Sequence, residues 1–231
     1  MRLLDTRRVR ILTVCLVATG AAAVAALDER SALEREPAGW VDLLAEGGAE
    51  LRGWTRVTIP PGGTPRPKSP WSYDPATGVL KCDGRNLHEW LRHDTPRGDA
   101  IYHVEWRFVP VVEGKKAYNS GIYVRNSADG AIWHQAQVGG GPAAFLFGET
   151  PVSGTKRRIN LAKSATTKRV EPAGEWNVFE VECRGKEVVL WCNGAEACRW
   201  SDCEVSQGHV GLEAEGYEIE FRKVLLKPLA P

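Results

Sequence analysis

Between Trp176 and Trp200 the chain reads "WNVFEVECRGKEVVLWCNGAEACRW": three alternating apolar–polar runs, separated by Arg184-Gly185-Lys186 and by Asn193-Gly194. Asn-Gly is the strongest short hairpin signal, because both central residues of the favoured turn need positive φ. The stretch therefore predicts three consecutive antiparallel strands. The same alternation places Val104, Trp106 and Phe108 of "VEWRFVPV" on one face and Glu105 and Arg107 on the other. "HVGLEAEGYEIEFRKVLLKPL" reads as a further strand pair, strictest in Tyr217, Ile219 and Phe221. Apart from a short turn around Ser31 to Arg35, no stretch after the N-terminal segment keeps a period of 3.6. Many short strands with glycine-rich turns predict an all-β chain folded as an antiparallel β-sandwich or jelly roll.

Two segments interrupt that rhythm. "IPPGGTPRPKSP" (59–70) is a proline-glycine loop that no central strand can accommodate. Residues 139–175 read as a long turn-rich loop with basic clusters Lys156-Arg157-Arg158 and Lys168-Arg169. A loop of that length in a compact domain serves a function or is disordered, and its basic residues are expected to be solvated. "VGGGP" (138–142) reads as a turn, since no helical pattern follows it.

The first residues carry a different pattern. Arg2, Arg7, Arg8 and Arg10 precede an apolar run from Ile11 to Leu27 that ends in small residues. That is the form of a secretory signal peptide, cleaved after Ala25 or Ala26, and it is too short and alanine-rich to favour a permanent membrane anchor. Arg7-Arg8 also fits a twin-arginine signal, a weak motif. Cys15 does not read as a lipidation site, because Val14 before it is too bulky. The expected organisation is a signal peptide at 1–26, a linker at 27–39 and one β domain at 40–231. Export to the periplasm or the exterior follows, with no stable membrane span after cleavage.

A net charge of +1, with both signs interspersed, gives no electrostatic case for nucleic acid or an anionic membrane. Without Cys15, the cysteines are Cys82, Cys183, Cys192, Cys198 and Cys203, an odd set in which Cys198 and Cys203 are close enough to consider for a disulfide. No C-x-x-C pair supports structural zinc. No G-x-S-x-G, H-E-x-x-H or phosphate-binding glycine loop is present, so serine hydrolase, zincin and nucleotide-dependent readings lack support.

The informative anomaly is a set of strands whose polar faces carry more than solvated lysine, threonine and glutamate. "HVEWRF" offers His103, Glu105 and Arg107; "NSGIYVRN" offers Asn119, Tyr123 and Arg125; "AIWHQAQVG" offers Trp133, Gln135 and Gln137, with His134 on the opposite face. Aromatic rings stack on the C–H faces of pyranoses, and planar amides and guanidinium groups bond vicinal hydroxyls. Glu213 and Glu215 share a strand face and suit general acid–base work, and His209 stands nearby in sequence. Against this stand bland readings: Arg125 paired with Glu105 across strands, Trp133 in the core, His209 in a turn.

The ordered set "NSGIYVR", "QAQV", "AGEWNVFEVECRGKEVVLWCNG" and "GHVGLEAEGYEIEFRKVLLKPL" resembles the 3-keto-disaccharide hydrolase family over roughly residues 40–229. The resemblance implies a concanavalin A-like, laminin-G-like sandwich, an exported bacterial protein, and cleavage of 3-keto-glycosides. A C3 ketone acidifies the C2 proton, so a base can eliminate the aglycone and water can then add. A metal ion or an arginine would stabilise the enolate oxygen. Carried over, Arg125 would hold that oxygen, Glu105 would orient Arg125 or act as acid–base, and Gln135 stands where the family usually has a glutamate. Trp133 would stack; Gln135 and Gln137, with Asn119 and Tyr123, would bind hydroxyls; His209 and Glu213 would form the second side of the cleft. No cofactor is specified, and a divalent metal stays open. The expected ligand is a keto-sugar. The competing readings are a non-catalytic carbohydrate-binding module, favoured by Gln135, and a structural surface domain.

Overall fold

A computed structural model describes residues 29–112, 117–140, 143–166 and 169–230. Residues 1–26, expected from the sequence to be a signal peptide, and Cys15 among them lie outside these described residues. No described helix is long and apolar enough to cross a membrane.

A four-residue helix α1 (Ala32–Arg35) opens the described chain on a capping box, in which the Ser31 side chain accepts from the Glu34 amide and Glu34 reaches back to the Ser31 backbone. Strand β1 (Val41–Asp42), helix α2 (Leu43–Gly47), β2 (Trp54–Thr58), β3 (Trp71–Asp74) and β4 (Val79–Asp83) follow. Next come β5 (His88–His93), β6 (Ala100–Phe108), β7 (Asn119–Asn126), β8 (Trp133–Gly139), β9 (Leu146–Val152) and β10 (Thr155–Asn160). After a 3-10 turn at Ala162–Ser164 the chain ends in β11 (Asn177–Arg184), β12 (Glu187–Cys192), β13 (Ala195–Trp200), β14 (His209–Glu215) and β15 (Glu218–Pro228).

These strands form an antiparallel β-sandwich of the jelly-roll kind. An eight-stranded sheet runs β13-β12-β11-β6-β15-β4-β3, with β1 on β15; a seven-stranded sheet runs β10-β9-β8-β7-β14-β5-β2. Val104, Trp106, Phe108, Phe179 and Phe221 on one sheet meet Ile122, Val124, Ala136 and Leu212 on the other, all at most 2% exposed. Each such large side chain contributes about 1.5–3 kcal/mol of burial. Trp106 and Phe179 meet edge to face at 5.3 Å. The predicted β11–β12–β13 run is present, and its second turn has Asn193 and Gly194 at φ 46° and 83°. Tyr217 falls in the β14–β15 turn rather than on a strand.

The stretch 139–175 is not the expected loop. It holds β9 and β10, joined through Ser153 and Gly154, both at positive φ. Gly148 hides the alternation of β9, because a side chain there would collide with the Trp133 carbonyl oxygen. β10 is an edge strand without a buried residue, so it has no apolar face to read. The five cysteines among the described residues form no disulfide: each of their thiols is free and buried. Burial pushes Cys183 and Cys192 up to about 12, which leaves them inert as nucleophiles.

Glu105 and Arg125 are not where the alternation and the resemblance placed them. Glu105 lies on β6, on the outward face of the eight-stranded sheet, across the sandwich from the polar face of β7 and β8. It meets Arg222 Nε at 2.6 Å and Lys223 Nζ at 2.8 Å. Arg125 sits in a bulge: Tyr123 pairs with Gly211 and Asn126 with His209, so β7 carries one residue more than β14. Its φ of 51° turns the side chain away from Tyr123. The guanidinium, 1% exposed, donates to the Gly185 and Val205 carbonyls at 2.8 and 3.0 Å and to Asp99 Oδ1 at 2.8 Å. Arg125 is thus a staple between β7 and the turns of the other sheet.

Replacing Arg125 by alanine removes the donor of two carbonyls and one partner of Asp99, which keeps the Gly185 amide, so urea unfolding should show a loss of about 3 kcal/mol. A loss within experimental error would contradict the staple. Acid should act through His134 and Glu105. Burial beside Thr150 lowers His134 from 6.5 to about 4, so the unfolded chain takes a proton below pH 6.5 that the native imidazole refuses. Stability therefore falls as pH drops from about 6.5 to about 4. Burial pushes Glu105 up, but the His103 imidazole 3.9 Å away and the contacts from Lys223 and Arg222 outweigh it and hold the group at about 2. Its contribution is lost as pH falls from about 4.5 towards 2. Unfolding midpoints between pH 7 and 4 should flatten in His134→Gln; an unchanged slope would contradict the assignment.

Candidate functional site

The outward face of the seven-stranded sheet is hollowed into a groove of about 570 Å³, lined by side chains from every one of its strands. The loop beginning Ile59-Pro60-Pro61 forms one wall beside β2, and Phe147, Glu149, Lys156 and Arg158 form the other. Alternation along β5, β14, β7 and β8 supplies the floor: His88 and Trp90, Glu213 and Glu215, Asn119 and Tyr123, Trp133, Gln135 and Gln137.

Glu213 is the centre of the floor. It is 2% exposed on a central strand and is satisfied by three neighbours. Tyr123 donates its hydroxyl to Oε1 at 2.7 Å, Gln135 Nε2 donates to Oε2 at 2.8 Å, and His88 Nε2 lies 3.1 Å from Oε1. Gly121 makes the Gln135 contact feasible. A Cβ there would stand 2.1 Å from Gln135 Nε2 and 2.6 Å from its Cγ, so the amide lies flat across β7 to reach β14. Gly211 plays the same part for the Trp90 indole, which would meet an added Cβ at 2.4 Å.

Glu215 is the more accessible carboxylate. Asn119 Nδ2 donates to its Oε2 at 2.6 Å, Gln137 Nε2 donates to Asn119 Oδ1 at 2.6 Å, and His88 Nε2 lies 3.6 Å away. Burial and then the Glu213 charge raise the Glu215 pKa, against the pull of His88 and Asn119. The hydrogen bond to Glu213 raises that of His88, against desolvation, favouring the imidazolium. Burial and the Glu213 charge drive Tyr123 far up, so its phenol stays a donor.

The ligand atoms of His88, Glu213 and Glu215 lie within 4.8 Å of one another. One imidazole and two carboxylates, with two like charges side by side, fit a divalent cation.

Of the residues singled out in the sequence, Asn119, Tyr123, Trp133, Gln135, Gln137 and Glu213 share this groove. Glu105 and Arg125 do not reach it. His209 lies at the far end of β14, where its Nδ1 donates to the His93 carbonyl at 2.9 Å, and it does not line the groove. Trp133 is held edge-on to Tyr123 and Phe147, with the Arg158 guanidinium 5.4 Å over its ring. His88 and Trp90 were missed. Their signal was the alternation in "NLHEWLRH", where His88, Trp90 and Arg92 share a face; only the pairing of β5 with β14 brings that face beside Glu213.

Residues 39–227 match the family described as the 3-keto-alpha-glucoside-1,2-lyase-like domain. No curated protein matches the sequence. Among solved structures, two Parabacteroides distasonis proteins provisionally described as glycosyl hydrolases are similar. One has 18% identity over 88% of this chain and 100% of its own, at TM-score 0.58; the other has 16% over 82% and 99%, at 0.56. The Bacillus subtilis carbohydrate-binding module CBM66 is 17% identical over 76% of this chain and 95% of its own, at TM-score 0.54. At these identities the likeness shows the fold alone. The family match spans most of the chain, and with it the protein belongs to the 3-keto-alpha-glucoside-1,2-lyase-like domain family.

Proposed function

We propose that the groove binds a glycoside bearing a ketone at C3 and eliminates its aglycone across C1 and C2, and that the chain works outside the cytoplasm. What carries the reading is the His88–Glu213–Glu215 cluster on the floor of a sugar-sized groove, in a chain of this family. The arginine-rich start and the apolar run to Leu27 support export.

The ketone makes the C2 proton acidic, and a carboxylate can take it. Glu215 is suited to this step, because Asn119 holds one oxygen and the side chain is 34% exposed to the groove. The C2–H pair forms the C1=C2 bond, the C1–O bond breaks, and the departing oxygen takes a proton. Water adding across C1=C2 would complete a net hydrolysis. Glu213 is too buried to reach the sugar; it orients His88 and favours its charged form, while Tyr123 and Gln135 fix Glu213. The amide at position 135 is therefore not a lost catalytic carboxylate but the donor that Glu213 requires. The same three residues would hold a divalent cation only with His88 neutral; the cation would then supply, in place of the imidazolium, the positive charge that meets the enolate oxygen. Gln137 and Asn119 are placed to bond hydroxyls, and Trp133 and Phe147, only partly buried, offer ring surface.

Release of the aglycone from a p-nitrophenyl 3-keto-glucoside should be catalysed by the wild type and fall by about 10²–10⁴-fold in Glu215→Gln. Chelator treatment, with restoration by divalent ions, reads out the cation. Sugar binding without turnover by the wild type would defeat the elimination reading and favour a carbohydrate-binding module.

A further inference from the structure

The two ends of the groove differ in charge. At the β5–β14 end stand two carboxylates and one histidine; at the β9–β10 end stand Lys156, Arg158 and Glu149. Lys156 Nζ lies 3.0 Å from Glu149, whereas Arg158 Nη1 touches the same carboxylate at 3.4 Å. Glu149 is thus matched chiefly by Lys156. Asp129, outside the groove lining but within the field of Lys156, is already bonded by the Ser127 hydroxyl at 2.6 Å and the Ala131 amide at 3.0 Å. Among the described residues, the long Glu149 contact is the one hydrogen bond of the Arg158 guanidinium.

Lysine and arginine on an edge strand ordinarily keep other strands from pairing with it. Arg157 fits that description, since alternation turns it away from the groove. Arg158 does not. It folds inward, 5.4 Å over the Trp133 ring and 5.9 Å over Phe147, in the stacked arrangement that pre-organises a guanidinium fork for a planar anion. β10 is four strand spacings from β14, about 19 Å across the sheet at ~4.8 Å each, and Arg158 stands in the row of Glu149 and Trp133, six residues or about 20 Å along β8 from the row of Glu215, Asn119 and Gly139. The two side chains thus face each other along the diagonal of the groove, and their inward reach leaves room between them for about three ring-sized units.

We infer that Arg158 receives a carboxylate on the aglycone, so that the substrates of this groove are glycosides with an acidic leaving unit. The inference rests on reading the groove as a glycoside site and adds the class of its leaving group. A bidentate guanidinium–carboxylate contact gives both orientation and affinity.

The test is calorimetry with 4-carboxyphenyl cellobioside and maltoside, whose three rings match that span, against their methyl esters, on wild type, Arg158→Gln and Arg157→Gln. Both arginines are exposed, so neither change should disturb folding. The acid should bind at least about fivefold more tightly than the ester to wild type and to Arg157→Gln. The preference should shrink at high salt, because an exposed pair is screened, and vanish in Arg158→Gln. Equal affinities, no acid binding at millimolar concentration, or a preference that survives Arg158→Gln would overturn it. Aglycone release from an uncharged 3-keto-glucoside is measured alongside. Turnover with no acid preference defeats only the role of Arg158; an Arg158-dependent preference without turnover upholds it and defeats the elimination reading.

Discussion

A carboxylate buried on a central strand must find its hydrogen bonds among its neighbours, because water cannot supply them and an unpaired buried charge costs several kcal/mol. Glu213 sets that constraint, and the surrounding choices follow from it. Tyr123 and Gln135 are the donors, from the two strands on one side, and His88 comes from the strand on the other. Gly121 is the space that Gln135 needs to cross β7. A glutamate at position 135 would set a second anion against Glu213 in place of a donor. The polar face of "NSGIYVRN" is the visible edge of this arrangement.

The second carboxylate is held differently, and the difference matters for chemistry. Glu215 is supported through a relay from Gln137 to Asn119, at the margin of the groove rather than beneath it. One glutamate is fixed and inaccessible, the other supported and reachable. Environments that separate like groups in this way commonly separate their roles. The other outward face, on the eight-stranded sheet, has a comparable density of charge but no groove role. There Arg107 and Arg222 flank Trp176 at 4.5 and 4.0 Å while Glu105 and Glu220 take the guanidinium groups, so the charges satisfy one another.

Alternation and turn chemistry were enough to read β6, β7, β8 and the β11–β13 meander, because each pairs an apolar face with a polar one between strong turn residues. They also put Tyr123, Gln135 and Glu213 on polar faces. They could not say which polar face belongs to which sheet, and so Glu105 was grouped with residues across the sandwich. Arg125 failed for another reason. Its bulge inserts one residue into β7 and puts the positive φ on Arg125 itself, where neither glycine nor asparagine stands to announce it, and a single extra residue reverses the side on which an arginine emerges. His88 was legible as part of an alternating run but became a site residue only through long-range pairing with β14. The β9–β10 hairpin was obscured by Gly148, by Pro151 and by an edge strand with no buried side.

Glu215 as the group that takes the C2 proton is the central claim, and proton exchange tests it without requiring the bond to break. In deuterated buffer, proton NMR of 3-ketoglucose should show the C2 signal washing out with wild-type protein and persisting near the uncatalysed rate with Glu215→Gln. Wash-out at the same rate with both proteins, or no catalysed exchange by the wild type, would contradict the account.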